Sequence, residues 1–295
     1  MRVVATLSSL PGREDLLLKV LEALNNQTRK LDAIYLGIAE ESIRLGEKYN
    51  LSPEHKKLCT VVKMPKDYGP ISKLYGALWM ETDPETVIIS VDDDVAYAPN
   101  IVEKLVEKLY VRPNVCICGT GCLIDYGLMN MSVVSTCNPQ TKKYQRFTGF
   151  NIPKAGRNVD CIYGFAGVLY LRKFFPSKHH FVSEFFKYSD KHKFLFLNDD
   201  IVISGWLCMK GIKRVIFNDI PVSRIPTEIP TGALSSIARE QWRTLGMSLK
   251  YCRCHGLINE TEYCGLEETI SMRIVILLLL IAACVGALTF GVLEF

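Results

Sequence analysis

The chain contains one apolar run that ends in three consecutive carboxylates, Val87-Ile88-Ile89-Ser90-Val91-Asp92-Asp93-Asp94-Val95. A β-branched run of this length predicts a strand that is buried on both faces, as in the centre of a parallel sheet. Three adjacent carboxylates repel one another, and a packed interior does not tolerate them without partners. We therefore expect the acids at the carboxyl end of the strand, where open α/β sheets place their ligand crevices.

The carboxylates of Asp92, Asp93 and Asp94 predict a bound cation at that strand end. Mg²⁺ and Mn²⁺ prefer carboxylate oxygens and leave coordination positions free for phosphate. The alternative interpretation is a solvated acidic turn, which needs no metal.

Composition places the chain among ordinary globular proteins. It has 295 residues, of which 48% are hydrophobic and 22% charged, enough for one large α/β domain or one domain with a subdomain. The formal net charge of +4 is mild, and Lys and Arg form no stripe interleaved with aromatic residues. This pattern argues against nucleic acid as a partner.

The eleven cysteines do not follow a disulfide or zinc pattern. Two C-x-C pairs occur, at Cys116 with Cys118 and at Cys252 with Cys254, whereas structural zinc sites typically use C-x-x-C. No secretory signal precedes the chain, so we expect mostly reduced, buried thiols in a cytosolic domain.

Strands and helices alternate through about residue 112, which predicts an α/β fold with a parallel sheet and right-handed crossovers. The predicted strands are Arg2–Thr6, Ala33–Ile38, Thr60–Lys63 and the strand that ends in the acids. The predicted helices are Glu14–Leu24, Glu40–Tyr49, Ile71–Met80 and one that begins near Pro99.

After Arg112 this alternation breaks, and the remaining elements predict the second half of the same domain. The predicted elements are the strand Val115–Ile124, a hairpin in Met131–Phe150, the strand Asp160–Leu171, a helix within Phe194–Lys210, the strand Arg214–Phe217 and an amphipathic helix over Thr231–Tyr251.

The C-terminal run Ile274–Leu293 has no charged residue and is about long enough to span a bilayer. A buried core helix is the alternative, but a helix that is apolar on every side favours a membrane anchor. Arg273 precedes the run, so the positive-inside rule predicts that the large domain lies in the cytosol. The predicted division is a domain over residues 1–230 (halves about 1–112 and 113–230), a membrane-proximal segment over 231–272 and a transmembrane helix over 273–293.

A second acidic pair, Asp199 and Asp200, directly precedes an apolar helical run. Acids in a first helical turn lie near the positive end of the helix dipole, which could orient one of them as a general base. The alternative is simple N-capping by Asn198 or Asp199.

Three further positions carry a functional and a structural interpretation. Lys73, after the loop Asp67-Tyr68-Gly69-Pro70, lies on the first turn of a predicted helix and could reach a phosphate, or it is a solvated side chain. The same two interpretations hold for Arg13. The stretch Gly164-Phe165-Ala166-Gly167 permits close approach of a ligand to the backbone, or only tight packing.

Taken together, these residues make the chain resemble GT-A-fold glycosyltransferases, particularly a viral and bacterial branch of the family-2-like group. The resemblance rests on five segments in order: Thr6–Arg13 as the opening strand and loop, Leu21–Thr28 as the end of the first helix, Asp67–Pro70 with Lys73 and Leu74, Asp92–Asp94 as the D-x-D motif, and Asp199–Asp200 where that group carries an E-D pair.

The resemblance implies a Rossmann-like GT-A mixed sheet and a nucleotide-sugar donor bound across the strand ends. Mn²⁺ or Mg²⁺ would bridge Asp94 and Asp92 to the diphosphate and neutralise charge on the departing nucleotide. Asp200 would deprotonate an acceptor hydroxyl for inverting attack, and Asp199 would orient it or touch the acceptor. By the same resemblance, Thr6, Arg13, Asp67 and Lys73 would bind the nucleotide and its phosphates. We also expect Asp92, Asp93, Gly164 and Gly167 to bind substrate.

The sequence departs from this family in having Asp-Asp rather than Glu-Asp and in lacking the Arg commonly found farther along that helix. Because a membrane anchor raises the effective concentration of membrane-bound acceptors, we expect a glycan, glycolipid or protein-linked sugar as acceptor.

Two other functions fit parts of the pattern. Haloacid-dehalogenase-type phosphatases also place D-x-D after an apolar strand, with Thr or Val two residues after the second Asp. Here that position is Ala96, which follows Val95, and the acidic strand is central rather than near the N-terminus. A catalytically inactive, membrane-tethered sugar-binding or scaffold protein is the non-enzyme alternative, and the intact acidic clusters argue against it.

Overall fold

The computed structural model describes residues 1–125, 130–135, 152, 154–191 and 193–221. All of them belong to one unit of the chain, Met1–Leu257. The predicted helix over Thr231–Tyr251, the predicted hairpin beyond Ser135 and the apolar run Ile274–Leu293 lie outside the described residues. Within the described ranges, no helix is both long and apolar enough to cross a membrane.

Thirteen strands are assigned in the described part of the chain. They are β1 Val3–Leu7, β2 Ala33–Ile38, β3 Glu41–Ser42, β4 Glu47–Lys48, β5 Thr60–Lys63, β6 Val87–Ser90, β7 Cys116–Cys118, β8 Thr120–Asp125, β9 Asn130–Ser135, β10 Arg157–Val159, β11 Cys161–Ile162, β12 Val168–Leu171 and β13 Arg214–Ile216.

Helices flank this framework, and several of them are short. The α-helices are α1 Glu14–Asn25, α2 Pro53–Leu58, α3 Tyr75–Met80, α4 Ile101–Val111, α5 Lys187–Lys191, α6 Lys193–Phe196 and α7 Asp199–Met209. Short 3₁₀-helices span Gly69–Leu74, Gly164–Ala166 and Arg172–Phe174, and a π-helix spans Val182–Phe186.

The main sheet is mixed and has eight strands in the order β10-β13-β7-β12-β6-β1-β2-β5. The four strands from the first half of the chain, β5, β2, β1 and β6, are parallel to one another, as predicted. β12 then enters between β6 and β7 and is antiparallel to both. The result is a mixed α/β fold in which helices flank a large sheet.

The central strand β6 confirms the prediction from the apolar run, because all four of its residues are buried. The strand ends at Ser90, before the three aspartates. The flanking helices use the predicted apolar spacing: α1 buries Leu17, Val20, Leu21 and Leu24. This periodic burial places each helix on the sheet with one apolar stripe inward.

The predicted helix over Glu40–Tyr49 is wrong, since this segment forms the hairpin of β3 and β4. Gly46 has φ of +66°, which favours glycine and allows a tight reversal. The backbone N–H of Ile43 donates to the carboxylate of Asp67, which belongs to another segment of the chain, and not to a backbone carbonyl within a helix. Helix α2 was not predicted either. Its N-terminus is formed by Ser52, whose side chain accepts from the N–H of His55, and by Pro53 in the first turn.

Two predicted strands are interrupted in the structure. The strand expected over Val115–Ile124 divides into β7, in the main sheet, and β8, in a separate sheet with β9 and β11. The strand expected over Asp160–Leu171 divides into β11 and β12, with the turn Gly164–Ala166 between them. Each described cysteine is a free thiol, and all but Cys59 are buried, which fits the predicted reduced cysteines.

Candidate active site

The carboxyl ends of β1 and β6 bring the first loop and the acidic run together. The two strands are adjacent and parallel, with Thr6 opposite Ser90, so the segments that follow them leave the sheet at the same edge. Arg13, from the loop after β1, lies with its guanidinium nitrogen 2.8 Å from Asp93 Oδ1 and 3.4 Å from Asp94 Oδ2. Ser9 Oγ donates to Asp93 Oδ2 at 2.6 Å.

Exposure alternates along the three aspartates. The Asp93 side chain is 8% exposed, whereas those of Asp92 and Asp94 are 26% and 27% exposed. Asp93 therefore anchors the loop after β1 through Arg13 and Ser9. The two outer carboxylates remain accessible from solvent.

Lys73 connects the two acidic clusters. Its Nζ lies 2.5 Å from Asp92 Oδ1 and 2.9 Å from Asp199 Oδ2, and the residue is buried. The contact with Asp199 is an ion pair without hydrogen-bond geometry. Burial alone would lower the pKa of Lys73, but the carboxylates of Asp199, Asp92 and Asp200 raise it well above its usual value. The expected phosphate-binding lysine thus lies between two protein carboxylates.

Helix α7 presents Asp200 to the turn after β11. The N–H of Ile162 donates to Ser204 Oγ at 3.1 Å, and the N–H of Gly164 donates to Asp200 Oδ1 at 2.9 Å. Asp200 and Ser204 share one helix face because they are four residues apart. Asn198 occupies the N-cap position, yet its side chain makes no capping hydrogen bond. The capping interpretation therefore does not describe how this acidic pair is used.

Gly164 is the point at which the two clusters meet. A Cβ atom built there would lie 2.8 Å from Lys73 Nζ, 3.0 Å from Asp200 Oδ1 and 3.7 Å from Asp92 Oδ1. We call the region at the strand ends where Asp92, Asp94, Lys73, Gly164 and Asp200 lie the crevice. The two acidic clusters, far apart in sequence, therefore meet at one place at the strand ends.

The pKa values of two carboxylates in the crevice are raised. Burial, reinforced by Asp93 and Asp92, raises the pKa of Asp94 to about 6, although Arg13 opposes the shift. Burial, followed by the charge of Asp199, raises the pKa of Asp200 well above its usual range. A raised carboxylate pKa means that the surroundings disfavour further negative charge, so the crevice favours a cation beside Asp94.

Two other predicted site residues, Thr6 and Asp67, have protein partners. Thr6 is buried; its Oγ1 donates to the carbonyl of Lys73 at 2.6 Å and accepts from the N–H of Ala77 at 3.3 Å. Asp67 accepts from the N–H of Gly69 at 2.7 Å and joins that turn to the β3–β4 hairpin. Both residues shape the crevice through the segments that they hold.

Gly167 packs against the region of helix α4. It has φ of +74°, and the nearest neighbours of a Cβ there would be Ile101, Leu105 and Tyr97. At Gly164 the atoms nearest to a Cβ would belong to Lys73, Asp200 and Asp92, whereas Gly167 faces helix α4. The close approach of a ligand to either glycine stays a prediction.

Two residues near the crevice escaped sequence analysis. The Tyr97 hydroxyl accepts from the N–H of Asp92 at 2.8 Å and donates to the carbonyl of Phe165 at 3.2 Å. Arg44 lies in the hairpin that was predicted as a helix, where burial and the nearby charge of Arg13 lower its pKa. Tyr97 could have been identified from the sequence as an aromatic residue shortly after the acidic run. No sequence feature pointed to Arg44.

The described residues contain no group of three or more His, Cys, Asp and Glu side chains placed to hold a metal. Mg²⁺-type sites that act on phosphates commonly use one or two carboxylates, with water and substrate oxygens completing the shell. The accessible pair Asp92 and Asp94, in surroundings that disfavour negative charge, fits such a site.

No protein-family model matches the chain, and no curated protein matches it. Among solved structures, the chain is similar to a crystal structure of glucosyl-3-phosphoglycerate synthase from Mycobacterium tuberculosis in complex with Mn²⁺, uridine diphosphate and phosphoglyceric acid. The TM-score is 0.30 and the identity 14%, over 40% of this chain and 42% of the synthase. The chain thus matches less than half of that structure.

Proposed function

We propose that this protein is a metal-dependent glycosyltransferase with a GT-A fold, which moves a sugar from a nucleotide-sugar donor to a hydroxyl acceptor. The observation that carries the proposal is the meeting of Asp92 and Asp200 beside Gly164 at the strand ends. Such a transfer needs a cationic site for the diphosphate and a base for the acceptor in one crevice. The mixed sheet flanked by helices and the order of the sequence motifs support the same assignment.

On the donor side, Asp94 and Asp92 would hold Mn²⁺ or Mg²⁺. When bound, the ion supplies charge neutralisation for the nucleoside diphosphate that leaves. Arg13 adds a positive charge that is already fixed beside Asp93 and Asp94. Its buried ion pair with Asp93 keeps the loop after β1 in one position at the edge of the crevice.

On the acceptor side, Asp200 is the proposed general base. A carboxylate with a raised pKa accepts a proton more readily than an ordinary aspartate, which suits this role. The N–H of Gly164 fixes one carboxylate oxygen, and the residue is only half-buried, so a hydroxyl can approach it. The proton of the acceptor hydroxyl would pass to Asp200 as the oxygen attacks the anomeric carbon, with inversion.

Lys73 and Asp199 position these groups. Because the ammonium of Lys73 touches both Asp92 and Asp199, it holds the metal-side and base-side carboxylates at a set separation. Asp199 is buried, so we assign it to orientation rather than to contact with the acceptor.

The acceptor and its location follow from the C-terminal run. If Ile274–Leu293 anchors the chain, the catalytic domain meets membrane-bound acceptors at a raised effective concentration. We therefore propose a glycan or glycolipid acceptor at the cytosolic face of a membrane.

The test is a donor hydrolysis screen of the full purified chain with uridine- and guanosine-diphosphate sugars, with and without Mn²⁺. We expect one donor to release nucleoside diphosphate only with the metal, and Asp94→Ala to abolish that release while the protein remains folded. Glu22→Ala, which removes an exposed carboxylate of α1, is the matched control.

Two outcomes would overturn the proposal. Donor affinity that is absent, or unchanged by Mn²⁺, for every nucleotide sugar would favour a scaffold. Covalent capture of phosphate on Asp92 would favour a phosphatase of the haloacid-dehalogenase type.

A further inference from the structure

Two aromatic side chains flank Gly164. Tyr163 and Phe165 are half-buried, and their rings are nearly parallel, with centroids 6.2 Å apart and an interplanar angle of 22°. Other aromatic side chains of the described fold, such as Phe181 and Phe185, are fully buried in the core. Tyr163 and Phe165, which we call the aromatic platform, therefore keep part of their surface accessible beside the crevice.

The platform is held in a defined position relative to the carboxylates. Gly164, between these two residues in the sequence, donates its N–H to Asp200 at 2.9 Å. On the other side, the Tyr97 hydroxyl bonds both the carbonyl of Phe165 and the N–H of Asp92, at 3.2 Å and 2.8 Å. The backbone that carries the rings is thus connected to the base-side and to the metal-side carboxylates.

The charge of the crevice limits which acceptor fits the platform. The described cations that contact its carboxylates, Lys73 and Arg13, face two protein carboxylates each. An anionic acceptor would be repelled by the carboxylate of Asp200, which lies on the acceptor side rather than on the proposed metal side. A neutral sugar has no such cost, because the C–H face of a pyranose ring carries partial positive charge and the face of an aromatic ring is negative.

We propose that Tyr163 and Phe165 bind the acceptor, and that the acceptor presents a neutral pyranose ring that stacks on them with one hydroxyl directed at Asp200. This inference rests on the proposed glycosyl transfer and narrows its acceptor to an uncharged sugar unit. Recognition by an aromatic face plus a few polar groups is a common design of ligand sites.

The experiment uses the full chain with the donor found in the hydrolysis screen. The acceptors are methyl glucosides, galactosides, mannosides and N-acetylglucosaminides, with 3-phosphoglycerate as the charged comparison. We expect transfer to at least one neutral glycoside, a KM for that acceptor raised about tenfold in Phe165→Ala, and donor hydrolysis within about twofold of the wild type.

Two further variants separate stacking from loss of apolar volume and from misfolding. Phe165→Tyr should retain the wild-type acceptor KM, whereas Phe165→Leu should behave like Phe165→Ala. Tyr110→Ala is the matched control, since Tyr110 is an aromatic residue of α4 that is 77% exposed. Retained donor hydrolysis in each variant reports an intact fold.

An acceptor KM that Phe165→Ala leaves unchanged would overturn the inference, as would transfer to 3-phosphoglycerate alone. If the wild type turns over no nucleotide sugar, the proposed function fails separately. Saturation-transfer NMR with the methyl glycosides then tests the platform alone: transfer to the sugar C–H protons that is lost in Phe165→Ala supports it, and no transfer to the wild type overturns it.

Discussion

At Gly164, the absence of a side chain lets two acidic clusters approach one lysine. A Cβ atom would lie 2.8 Å from the Lys73 ammonium and 3.0 Å from Asp200. The nearest atom, Nζ, is at the end of a flexible chain, so the protein can accommodate alanine by a small displacement. That displacement would fall on the groups that the proposed reaction depends on.

We therefore expect Gly164→Ala to lower the free energy of unfolding by only about 1 kcal/mol. Turnover of the donor should fall by a factor of about ten or more, because displaced groups lose their alignment with the substrate. Urea unfolding and steady-state kinetics provide the two measurements.

The control is Gly211→Ala, where no atom lies within 4 Å of a Cβ but φ is +69°. Backbone strain there should cost about 1 kcal/mol without any change in turnover. A Gly164→Ala protein with wild-type turnover would contradict the assignment of the crevice.

The raised pKa of Asp94 predicts how the free energy of unfolding depends on pH. Its pKa in the folded protein is about 6, against a usual value of 3.8. Protonation therefore stabilises the folded protein as the pH falls between these two values, and the ionised form is destabilising above pH 6. Asp94→Asn should raise the free energy of unfolding of the metal-free protein by about 1–2 kcal/mol near pH 8, and by progressively less toward pH 4.

Urea unfolding across this pH range measures the difference between the two proteins. Mn²⁺ should stabilise the wild type near pH 8 and have little effect on Asp94→Asn, since an ion that binds only the folded state stabilises it. If Asp94→Asn raised the free energy of unfolding by the same amount at every pH, the charge of Asp94 would not be the cause.

At the scale of elements, Lys73 joins the 3₁₀-helix Gly69–Leu74 to the N-terminus of α7. Removing its charge leaves the carboxylates of Asp92 and Asp199 without their shared cation. Lys73→Met should therefore lower the free energy of unfolding by about 3–5 kcal/mol, the usual cost of breaking a buried ion pair from one side.

Adding Asp199→Asn to Lys73→Met should restore part of that stability, because one buried negative charge is then absent. A double-mutant cycle measures the coupling between the two residues. The exposed pair of Lys48 and Glu40 is the control, and Lys48→Met should have little effect on stability. Additive effects of the Lys73 and Asp199 substitutions would refute the bridging role.

The hairpin of β3 and β4 illustrates why one element was mispredicted. The segment has polar residues on all sides, so no apolar period distinguishes a helix from a turn. Its structure depends on Asp67, which accepts the N–H of Ile43 from a distant part of the chain. A contact of this kind has no local signature in the sequence.

At the scale of the whole molecule, the C-terminal run predicts membrane attachment. We expect the full chain to sediment with membranes and to require detergent for release. The double variant Leu280→Arg with Val285→Arg should shift it to the soluble fraction, because each charge at the centre of a span costs about 2.5–3.5 kcal/mol. Tyr110→Arg, on exposed α4, is the control, and a wild-type chain that stays soluble would contradict the anchor.

Much of the framework was predictable because its signals are local. β6 and β1 are apolar runs of strand length, and α1 and α4 carry apolar residues at helical spacing. Every one of these elements appears where it was expected, within a few residues. The position of β12 between β6 and β7, antiparallel to both, was not predictable. The direction of a strand depends on the connection that precedes it in the chain.

The sequence by itself determined that carboxylates end a buried strand and that a second acidic pair opens an apolar helix, because burial and helix position follow from neighbouring residues. Only the tertiary structure decided that Lys73 lies between Asp92 and Asp199 and that Gly164 faces Asp200. Those contacts join residues far apart in the chain, and their distances depend on how β6, α7 and the turn after β11 pack together.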